Sequence, residues 1–348
     1  MSQCDVITNI KERISADCLT VYPAEARLDV SSRCQLDCVL CPVSSRKGRP
    51  FIGRGVMPVA DFVEFIDKNP QIRIIELGNS GEVFLNPDLP AILRYARKKG
   101  VATRIAEGSN LNDASDEALE ALVRYGVAVL RVAIDGATQE TYGKYRVGGE
   151  LKKVLGNVQR INAYKKQYGS RLPRLILQFI TFPHNEHEIK KIAVMARAMD
   201  MDINLKLNVF NGYPPLQNHR QLTEWLGYSN KDSYLEKTGK IYLREICLQL
   251  WRSPQVNWDG RLLGCSGNKS VSYAEYALGR AFEREINKGH IQYARKMLMG
   301  IAPQRDDIPC SVCDSYADYR KYDQWFTPGE IRAAMDRWQR QLPEHYEH

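Results

Sequence analysis

Six strand-like segments alternate with helix-like segments between residues 25 and 209, and this alternation limits the fold more than any other feature. Several of the strand-like segments are nearly continuous β-branched runs, as expected for strands buried on both faces of a parallel sheet. The pattern predicts an α/β domain of open-barrel or doubly wound type, in which the loops after the strands carry the chemistry. The candidate strands span residues 25–30, 73–77, 102–106, 129–134, 175–181 and 203–209.

Capping residues predict where three of the intervening helices begin. Asn86 followed by Pro87 is typical of an N-cap and a first helical position. Ser115 is predicted to begin the next helix, and Asn185 with Glu188 resembles a capping box ahead of a third.

The composition changes after the alternating region. Residues 211–246 are rich in Pro, Gly and Asn at first and then polar and helical, which indicates a linker. Asp259-Gly260 predicts a tight two-residue hairpin turn between residues 255–258 and 261–265. Further helices are predicted at residues 282–299 and 328–341.

The overall composition excludes several classes of protein. Apolar residues make up 44% and charged residues 26% of the 348, so disorder is excluded. No apolar run approaches the ~18 residues that cross a bilayer. The N-terminus carries acids and lacks an apolar stretch, so it is not a signal peptide, and we expect a cytoplasmic protein. The net charge of +8 suits an anionic ligand or an RNA partner but requires neither.

The nine cysteines point to metal chemistry. An odd count in a long chain without an export signal argues against a disulfide framework. Thiolate ligands at short spacings in a reducing compartment indicate a metal ion or an iron–sulfur cluster. Seven cysteines form a front set and a back set: Cys34, Cys38 and Cys41, and then Cys247, Cys265, Cys310 and Cys313.

The front set lies directly after the first predicted strand. Its spacing of three and then two residues lets Cys34, Cys38 and Cys41 converge on one face of a 4Fe–4S cube. Three ligands leave one iron open, which is what a bound, reducible small molecule needs. A zinc site or three buried thiols is the alternative.

This C-x3-C-x2-C pattern resembles the signature of the radical S-adenosylmethionine (SAM) superfamily. The resemblance implies a partial (β/α)6 barrel whose open iron chelates SAM. It also implies reductive cleavage of SAM to a 5′-deoxyadenosyl radical, which abstracts a hydrogen atom from the substrate.

Two later segments resemble SAM-binding motifs of the same family. Gly81-Glu82-Val83 is similar to the GGEP motif, with Val83 in place of Pro, and implies that Gly81 and Glu82 hold the SAM amino group. A solvated loop carboxylate is the alternative for Glu82. Ser109 and Asn110 follow the third strand, where relatives contact the SAM carboxylate or ribose.

Residues 132–149 resemble the S-x-DG…ETY…R stretch of the subgroup with SPASM or twitch extensions, with Ala133 in place of Ser. Arg146 corresponds to the arginine that pairs with the SAM carboxylate, and Asp135 either contributes to this site or caps a turn. Gln178 and Asn208 end the fifth and sixth strands, where they border adenine or substrate or are satisfied polar groups.

The back set resembles the twitch extension, a shortened SPASM domain with one auxiliary cluster. A zinc ribbon is the alternative, although it prefers two CxxC pairs and only Cys310 and Cys313 form one. Four cysteines saturate a 4Fe–4S cube, so this second cluster would pass electrons rather than bind substrate. The resemblance divides the chain into an N-terminal extension (1–24), a radical SAM core (25–210), a linker (211–246), a twitch α+β domain (247–318) and a helical tail (319–348).

The sequence favours a small polar substrate. Only about two dozen residues precede the first strand, too few for the leader-recognition domain of many peptide-modifying relatives. His184 and Lys206 are candidate general bases. Cys4 and Cys18 are expected to be small apolar or surface residues, with a hydrogen-atom donor as the alternative for Cys18. Candidate substrate contacts are Arg46, Lys47, Arg49 and Arg54, which also suit a solvated loop, and Trp251, Arg252 and Trp258.

The function expected from these features is dehydrogenation of a secondary alcohol in a sugar-like or aminocyclitol substrate, with the auxiliary cluster as electron acceptor. Flavodoxin or ferredoxin is the expected reductant. A redox-neutral reaction (epimerase, decarboxylase or dehydratase) on a small molecule or nucleotide sugar stays open, as does a peptide-modifying enzyme. RNA modification is disfavoured because the positive charges are dispersed. A non-enzymatic electron carrier or metal-stabilised interaction protein is the remaining class.

Overall fold

The computed structural model describes residues 18–41, 43, 52–208, 214–268, 273 and 282–337. The strands are β1 Glu25–Leu28, β2 Ile74–Glu76, β3 Ala102–Ser109, β4 Val129–Ala133, β5 Arg174–Thr181, β6 Asp202–Leu207, β7 Gln255–Val256 and β8 Leu262–Gly264. The helices are α1 Val59–Lys68, α2 Leu89–Lys98, α3 Asp116–Arg124, α4 Gln139–Tyr145, α5 Leu151–Gln167, α6 Ile189–Ala198, α7 His219–Leu226, α8 Lys231–Thr238, α9 Gln249–Arg252, α10 Phe282–Glu285, α11 Gly289–Leu298, α12 Asp314–Lys321 and α13 Pro328–Met335.

All the strands described belong to one sheet, in the order β6-β5-β4-β3-β2-β1-β7-β8. The first six strands pair in parallel with their neighbours in chain order. β7 continues the sheet in parallel beside β1, and β8 pairs antiparallel with β7. The predicted α/β fold with a barrel-like core of six βα units is confirmed.

The two faces of the sheet differ in polarity. Leu130 and Val132 of β4, like Leu175 and Leu177 of β5, are buried in the main apolar core. Successive strand residues point to opposite faces, so the residues between them, such as Arg131, face the interior of the curved sheet. The loops after the strands therefore open above an interior lined partly by polar groups.

Two predicted helix starts are wrong because the capping side chains serve other elements. The helix after Asn86 begins at Leu89 with Asp88 as its N-cap, while Asn86 Nδ2 donates to the carbonyls of Val30 and Met57. Ser115 caps its helix as predicted, accepting from the Ala118 amide.

The predicted capping box at Asn185 and Glu188 does not form. Asn185 Oδ1 accepts from the Phe182 amide, and its Nδ2 donates to the Asp135 carbonyl. The Glu188 carboxylate accepts from the Ala137 amide at 2.7 Å. Both side chains thus join the loops after β4 and β5 instead of capping the helix.

The C-terminal part differs from prediction in two details. The hairpin forms, but its turn lies one residue earlier than Asp259-Gly260, since the Gly260 amide donates to the Asn257 carbonyl. The helix predicted at residues 282–299 is divided into α10 and α11. α13 begins at Pro328 as predicted and ends at Met335, and residues 338–341 lie outside the described part.

The segment before β1 packs against the C-terminal part. Trp251 Nε1 donates to the Cys18 carbonyl, and the Val21 amide donates to Asn287 Oδ1. The division into domains stays a prediction. Within the described ranges, no helix combines the length and apolar character needed to span a membrane.

Candidate functional site

The loop with the front cysteines follows β1 and is held by the helix after β4. The Asp37 amide donates to the Val147 carbonyl at 2.9 Å, and the Cys41 amide donates to the Cys38 carbonyl at 3.1 Å. Leu36 and Cys38 are buried in a small apolar cluster with Tyr145 and Phe182, against which Cys34 and Cys41 pack. The three cysteines are thereby brought to one place at the carboxyl end of the sheet.

Gly81 lets the loop after β2 pass against this cysteine loop. Its φ is +87°, and a Cβ would lie 2.5 Å from the Ser32 carbonyl carbon and 2.6 Å from the Arg33 oxygen. The next amide, of Glu82, donates to the Arg33 carbonyl at 2.6 Å. No residue with a side chain fits here unless the backbone of one loop moves.

Glu82 connects three loops and is not a solvated carboxylate, because it is only 1% exposed. One oxygen accepts from Ser109 Oγ and the other from the Asn110 amide, each at 2.6 Å. The Phe84 amide also donates to it, at 3.3 Å. Burial raises the pKa of Glu82, while these hydrogen bonds oppose that shift.

Asn110 links this network to the first cysteine. Its Nδ2 donates to Cys34 Sγ at 3.7 Å, and its Oδ1 accepts from Gln35 Nε2 at 3.0 Å. Glu82, Ser109 and Asn110, predicted from separate motifs, therefore form one hydrogen-bonded group beside Cys34.

Arg146 lies beside the second cysteine. Its Nε is 2.6 Å from Asp135 Oδ2, and its Nη1 is 3.8 Å from Cys38 Sγ. Asp135 is fully buried and its other oxygen accepts from the Ile180 amide at 2.7 Å. The alternative of an aspartate that merely caps a turn is wrong, because Asp135 joins the loops after β4 and β5.

Of the two residues predicted to end the fifth and sixth strands, Gln178 instead lies within β5, which continues to Thr181. Gln178 is buried, with no hydrogen-bond partner for its Oε1 among the described residues. Gly108 has a φ of +108°, and a Cβ there would lie 2.7 Å from Gln178 Nε2. Asn208 directly follows β6. Gln178 is therefore packed against the end of β3, with an acceptor available inside the barrel.

The two candidate bases occupy different positions. His184 stacks on Phe182 with ring centroids 5.4 Å apart, so it borders the apolar cluster of Cys38. Burial, and then Lys144, lower the pKa of His184, which favours a neutral imidazole. Lys206 is on β6, and burial and then Arg131 lower its pKa.

The four back cysteines line one cavity of about 450 Å³, together with Tyr273. Tyr273 Oη is 3.7 Å from Cys310 Sγ. Burial raises the pKa of Cys310 to about 12, and in the front set it raises the pKa of Cys34 to about 12. Nearby thiols contribute to both shifts, so the members of each set are close enough to interact.

The residues present fit two iron–sulfur clusters. All eight cysteines in the described part are free thiols. Within the described ranges, no three Cys, His, Asp or Glu side chains are arranged to hold a single metal ion. A 4Fe–4S cube, with iron at alternate corners, needs thiolates further apart than one ion does, and a cavity lined by four cysteines suits that larger group.

One loop contacts both cysteine sets. After β2, Asn79 Nδ2 donates to the Ser266 carbonyl at 3.1 Å, next to Cys265. Two residues later, Gly81 lies against the loop of Cys34. The two cysteine sets are thus connected through a single loop.

Two of the expected substrate contacts are wrong. Trp251 is fully buried and packs on Phe326 with ring centroids 5.8 Å apart. Arg252 lies near Glu25, at the amino end of β1 and away from the cysteine loop.

Two other expected contacts lie beside the cysteine loop. Trp258 packs over Gly53 and Gly55 and donates to the Ile52 carbonyl at 2.8 Å, and Arg54 Nη2 is 3.4 Å from the Cys34 carbonyl. Cys18 is 1% exposed in the main core, as expected of a small apolar residue. Cys4, Arg46, Lys47 and Arg49 lie outside the described residues.

Sequence reasoning missed Gln35, Asn79 and Tyr273. Gln35 stands between two of the motif cysteines, so its position was a usable signal. Asn79 and Tyr273 act through contacts between distant segments, and nothing in their local sequence indicates those contacts.

Comparison with known proteins agrees with this geometry. Residues 28–196 match the model of the radical SAM superfamily. A tungsten-containing aldehyde ferredoxin oxidoreductase cofactor-modifying protein of Pyrococcus furiosus is 22% identical over 283 residues, covering 75% of each chain. An AdoMet-dependent heme synthase of Methanosarcina barkeri is 29% identical over 143 residues, covering 40% of each chain.

The fold is similar to that of Streptococcus suis SuiB bound to S-adenosylmethionine, with a TM-score of 0.62 and 12% identity. This likeness covers 90% of the present chain and 77% of SuiB, and it is a likeness of fold. Radical SAM enzymes use a 4Fe–4S cluster, SAM and a reductant, and the SPASM/twitch-type fold agrees with an auxiliary cluster. The cysteine motif, the network around it and the matched region together show that residues 28–196 of this chain form a domain of the radical SAM superfamily, as found in SAM-dependent enzymes.

Proposed function

We propose that this enzyme oxidises a carbon centre of a small polar substrate, most simply a secondary alcohol of a sugar-like or aminocyclitol molecule, and that it uses two 4Fe–4S clusters. Cys34, Cys38 and Cys41 would hold the first cluster. The back cysteines (Cys247, Cys265, Cys310 and Cys313) would hold the second.

The arrangement of the two cysteine sets carries the proposal. Three thiols leave an iron open for SAM, whereas four leave none, so the second cluster is suited to electron transfer. The loop of Asn79 and Gly81 contacts both sets, which supports electron flow between the substrate region and the second cluster. Net oxidation needs such an acceptor, because a substrate radical must lose a second electron.

The SAM site would consist of two hydrogen-bonded groups, one beside Cys34 and the other beside Cys38. When bound, the first cluster and SAM supply a 5′-deoxyadenosyl radical. Arg146, oriented by Asp135, presents a guanidinium edge that suits the SAM carboxylate. Gly81 brings the Glu82 loop against the cysteine loop, and Ser109 and Asn110 fix the Glu82 carboxylate. Gln178 and Asn208 would border the adenine or the substrate.

His184 is the better candidate for the general base. It lies next to Phe182, which packs beside Cys38, and burial lowers its pKa, so the imidazole is neutral and able to accept a proton near pH 7. Lys206, on β6, lies within electrostatic reach of another cation, Arg131, and we do not propose it as the base.

The names of two relatives support a small-molecule substrate, since one is called a cofactor-modifying protein and the other a heme synthase. We further propose a flavodoxin or ferredoxin as reductant and the cytoplasm as the site of action. The free thiols of the described cysteines agree with a reducing compartment.

Iron counting and SAM cleavage test the proposal. After anaerobic reconstitution the wild type should hold about eight irons per chain, falling to about four when either cysteine set is changed to Ala. With dithionite, the wild type should form 5′-deoxyadenosine, and the Cys34/Cys38/Cys41→Ala variant should form none. The Cys18→Ala variant is the matched control and should keep all its iron.

Three results would contradict the proposal. Zinc in place of iron would exclude radical chemistry, and a full iron count without SAM cleavage would indicate an electron carrier. Iron that stays at about eight in a back-set variant would exclude the second cluster. With a substrate in hand, a product isomeric with it, or one that differs from it by the loss of CO2 or water, would favour the redox-neutral alternatives.

A further inference from the structure

Charged side chains lie on the interior face of the sheet. Arg27, Glu76 and Arg104 lie on β1 to β3, and Glu107 lies at the end of β3. On β4 and β6, Arg131 and Lys206 occupy interior positions, because they alternate with core residues such as Leu130 and Leu205.

Most of these charges neutralise one another. Arg104 lies 2.7 Å from Glu25 and 3.0 Å from Glu76, so it serves two carboxylates. Arg27 lies 2.6 Å from Glu107 and also donates to Gln255 Oε1 at 3.1 Å. These pairs explain why charged side chains are tolerated inside the barrel.

Arg131 and Lys206 are left over. Arg131 Nε is buried and has no hydrogen-bond partner among the described residues. In the described part of the chain, no carboxylate lies within 4.0 Å of either cation. The carboxylates of Glu25, Glu76 and Glu107 are paired with Arg104 and Arg27. Glu107 interacts electrostatically with both cations, but its carboxylate is already paired with Arg27.

An unpaired cation in a low-dielectric interior is costly. Burial lowers the pKa of Arg131, although Glu107 and Glu76 oppose the shift. Burial followed by Arg131 lowers the pKa of Lys206, so Lys206 lies within electrostatic reach of Arg131. A ligand anion placed between them would remove this repulsion and supply the missing acceptor.

We propose that Arg131 and Lys206 form an anion subsite in the barrel interior that binds a carboxylate or phosphate group of the substrate. This proposal rests on the proposed function, because it takes the bound anion to be part of the enzyme's substrate. The small polar substrate would then be a carboxylic acid or a phosphate ester. Arg146 stays assigned to SAM, because Asp135 and Cys38 hold it beside the cysteine loop.

Anion binding to the reconstituted full-length enzyme with saturating SAM tests this subsite. Inorganic phosphate and acetate are titrated separately by calorimetry, with chloride holding the ionic strength constant. Arg131→Met and Lys206→Met should each lower the affinity for the preferred anion at least tenfold. They should leave SAM affinity and substrate-free 5′-deoxyadenosine formation within twofold of wild type. Arg220→Met, at an arginine whose side chain is 89% exposed on α7, is the control and should bind like wild type.

A second readout does not depend on any ligand. Replacing an unpaired interior cation by an apolar residue of similar length removes a desolvation cost, so Arg131→Met should raise the thermal midpoint in low-anion buffer. Tighter phosphate binding would assign a phosphate ester, and tighter acetate binding a carboxylate.

The inference is overturned if both variants bind the anions as wild type does, or if wild type binds neither. It is also overturned if SAM affinity falls together with anion affinity, or if Arg131→Met lowers the midpoint. Failure of wild type to cleave SAM would contradict the proposed function while leaving the anion titration readable.

Discussion

At the scale of single residues, close approaches shape this site. Gly81 lies where two loops meet with no room for a side chain, and Tyr273 places a hydroxyl beside Cys310. Gly81 acts through the absence of a Cβ atom, and Tyr273 acts through its hydroxyl oxygen. Their effects can therefore be separated from the general stability of the fold by matched variants.

We predict that Gly81→Ala displaces the front cysteine loop, because its Cβ would lie 2.5 Å from the Ser32 carbonyl carbon. Iron after reconstitution should fall from about eight toward about four per chain. Gly100→Ala is the control, since Gly100 also has a positive φ, +68°, but no atom within 4 Å of its added Cβ. It should cost about 1 kcal/mol of stability and no iron. Equal iron loss in both variants would mean that backbone strain alone matters.

We predict that Tyr273→Phe lowers the reduction potential of the auxiliary cluster. A hydroxyl that donates to a thiolate stabilises the more negative, reduced state, so its loss should cost a few tens of millivolts. Redox titration followed by electron paramagnetic resonance measures the shift, and Tyr322→Phe, at a partly exposed tyrosine, should leave the potential unchanged. An unchanged potential in Tyr273→Phe would show that the hydroxyl does not donate to Cys310.

At the scale of elements, the loops after β4 and β5 are joined by carboxylates. Asp135 follows β4, pairs with Arg146 at the end of α4 and accepts from the Ile180 amide of β5. Glu188, just before α6, accepts from the Ala137 amide of the β4 loop. The position of Arg146 therefore depends on two strands and the helix between them.

We predict that Asp135→Asn destabilises the protein by roughly 3 kcal/mol, because it leaves the guanidinium of Arg146 without its buried partner. SAM affinity should fall as well, since Arg146 loses its orientation. Asp202→Asn removes an exposed pair with Arg174 and should cost at most about 1 kcal/mol. Denaturant unfolding and SAM titration check both variants, and equal losses would contradict the assigned role of Asp135.

At the scale of the whole molecule, one buried arginine ties the N-terminal segment to the C-terminal part. Arg295 is fully buried and donates to the carbonyls of Leu250 and Leu19 and to Asn287 Oδ1. Asn287 in turn accepts from the Val21 amide. Segments more than 200 residues apart thus share one hydrogen-bonded centre.

We predict that Arg295→Ala lowers the free energy of unfolding by about 3 kcal/mol or more, because two buried carbonyls lose their donor and a cavity remains. Lys296→Ala, one residue later on α11, should change stability by less than about 0.5 kcal/mol. Hydrogen exchange at the Val21 amide should accelerate only in Arg295→Ala. Unchanged exchange there would mean that the N-terminal segment is held independently.

Motifs within one segment were predictable from the sequence. The cysteine spacing, Glu82 and Arg146 were identified from their own neighbourhoods, and the structure brings them together. Helix starts at Asn86 and Asn185 were not predictable in this way, because the same side chain can cap its own helix or bond a distant loop. Trp251 was assigned to the substrate since its sequence carries no signal of its burial.

The amino-acid sequence by itself determined the alternation of strands and helices, the two cysteine sets and the ligands available to each, since these depend on residue type and spacing along the chain. Only the tertiary structure decided that one loop contacts both sets and that Glu82 is buried under Ser109 and Asn110. It also decided that Arg131 Nε is buried without a hydrogen-bond partner among the described residues. The physical reason is that burial and pairing depend on groups far apart in the chain, whose encounter only the packed fold specifies.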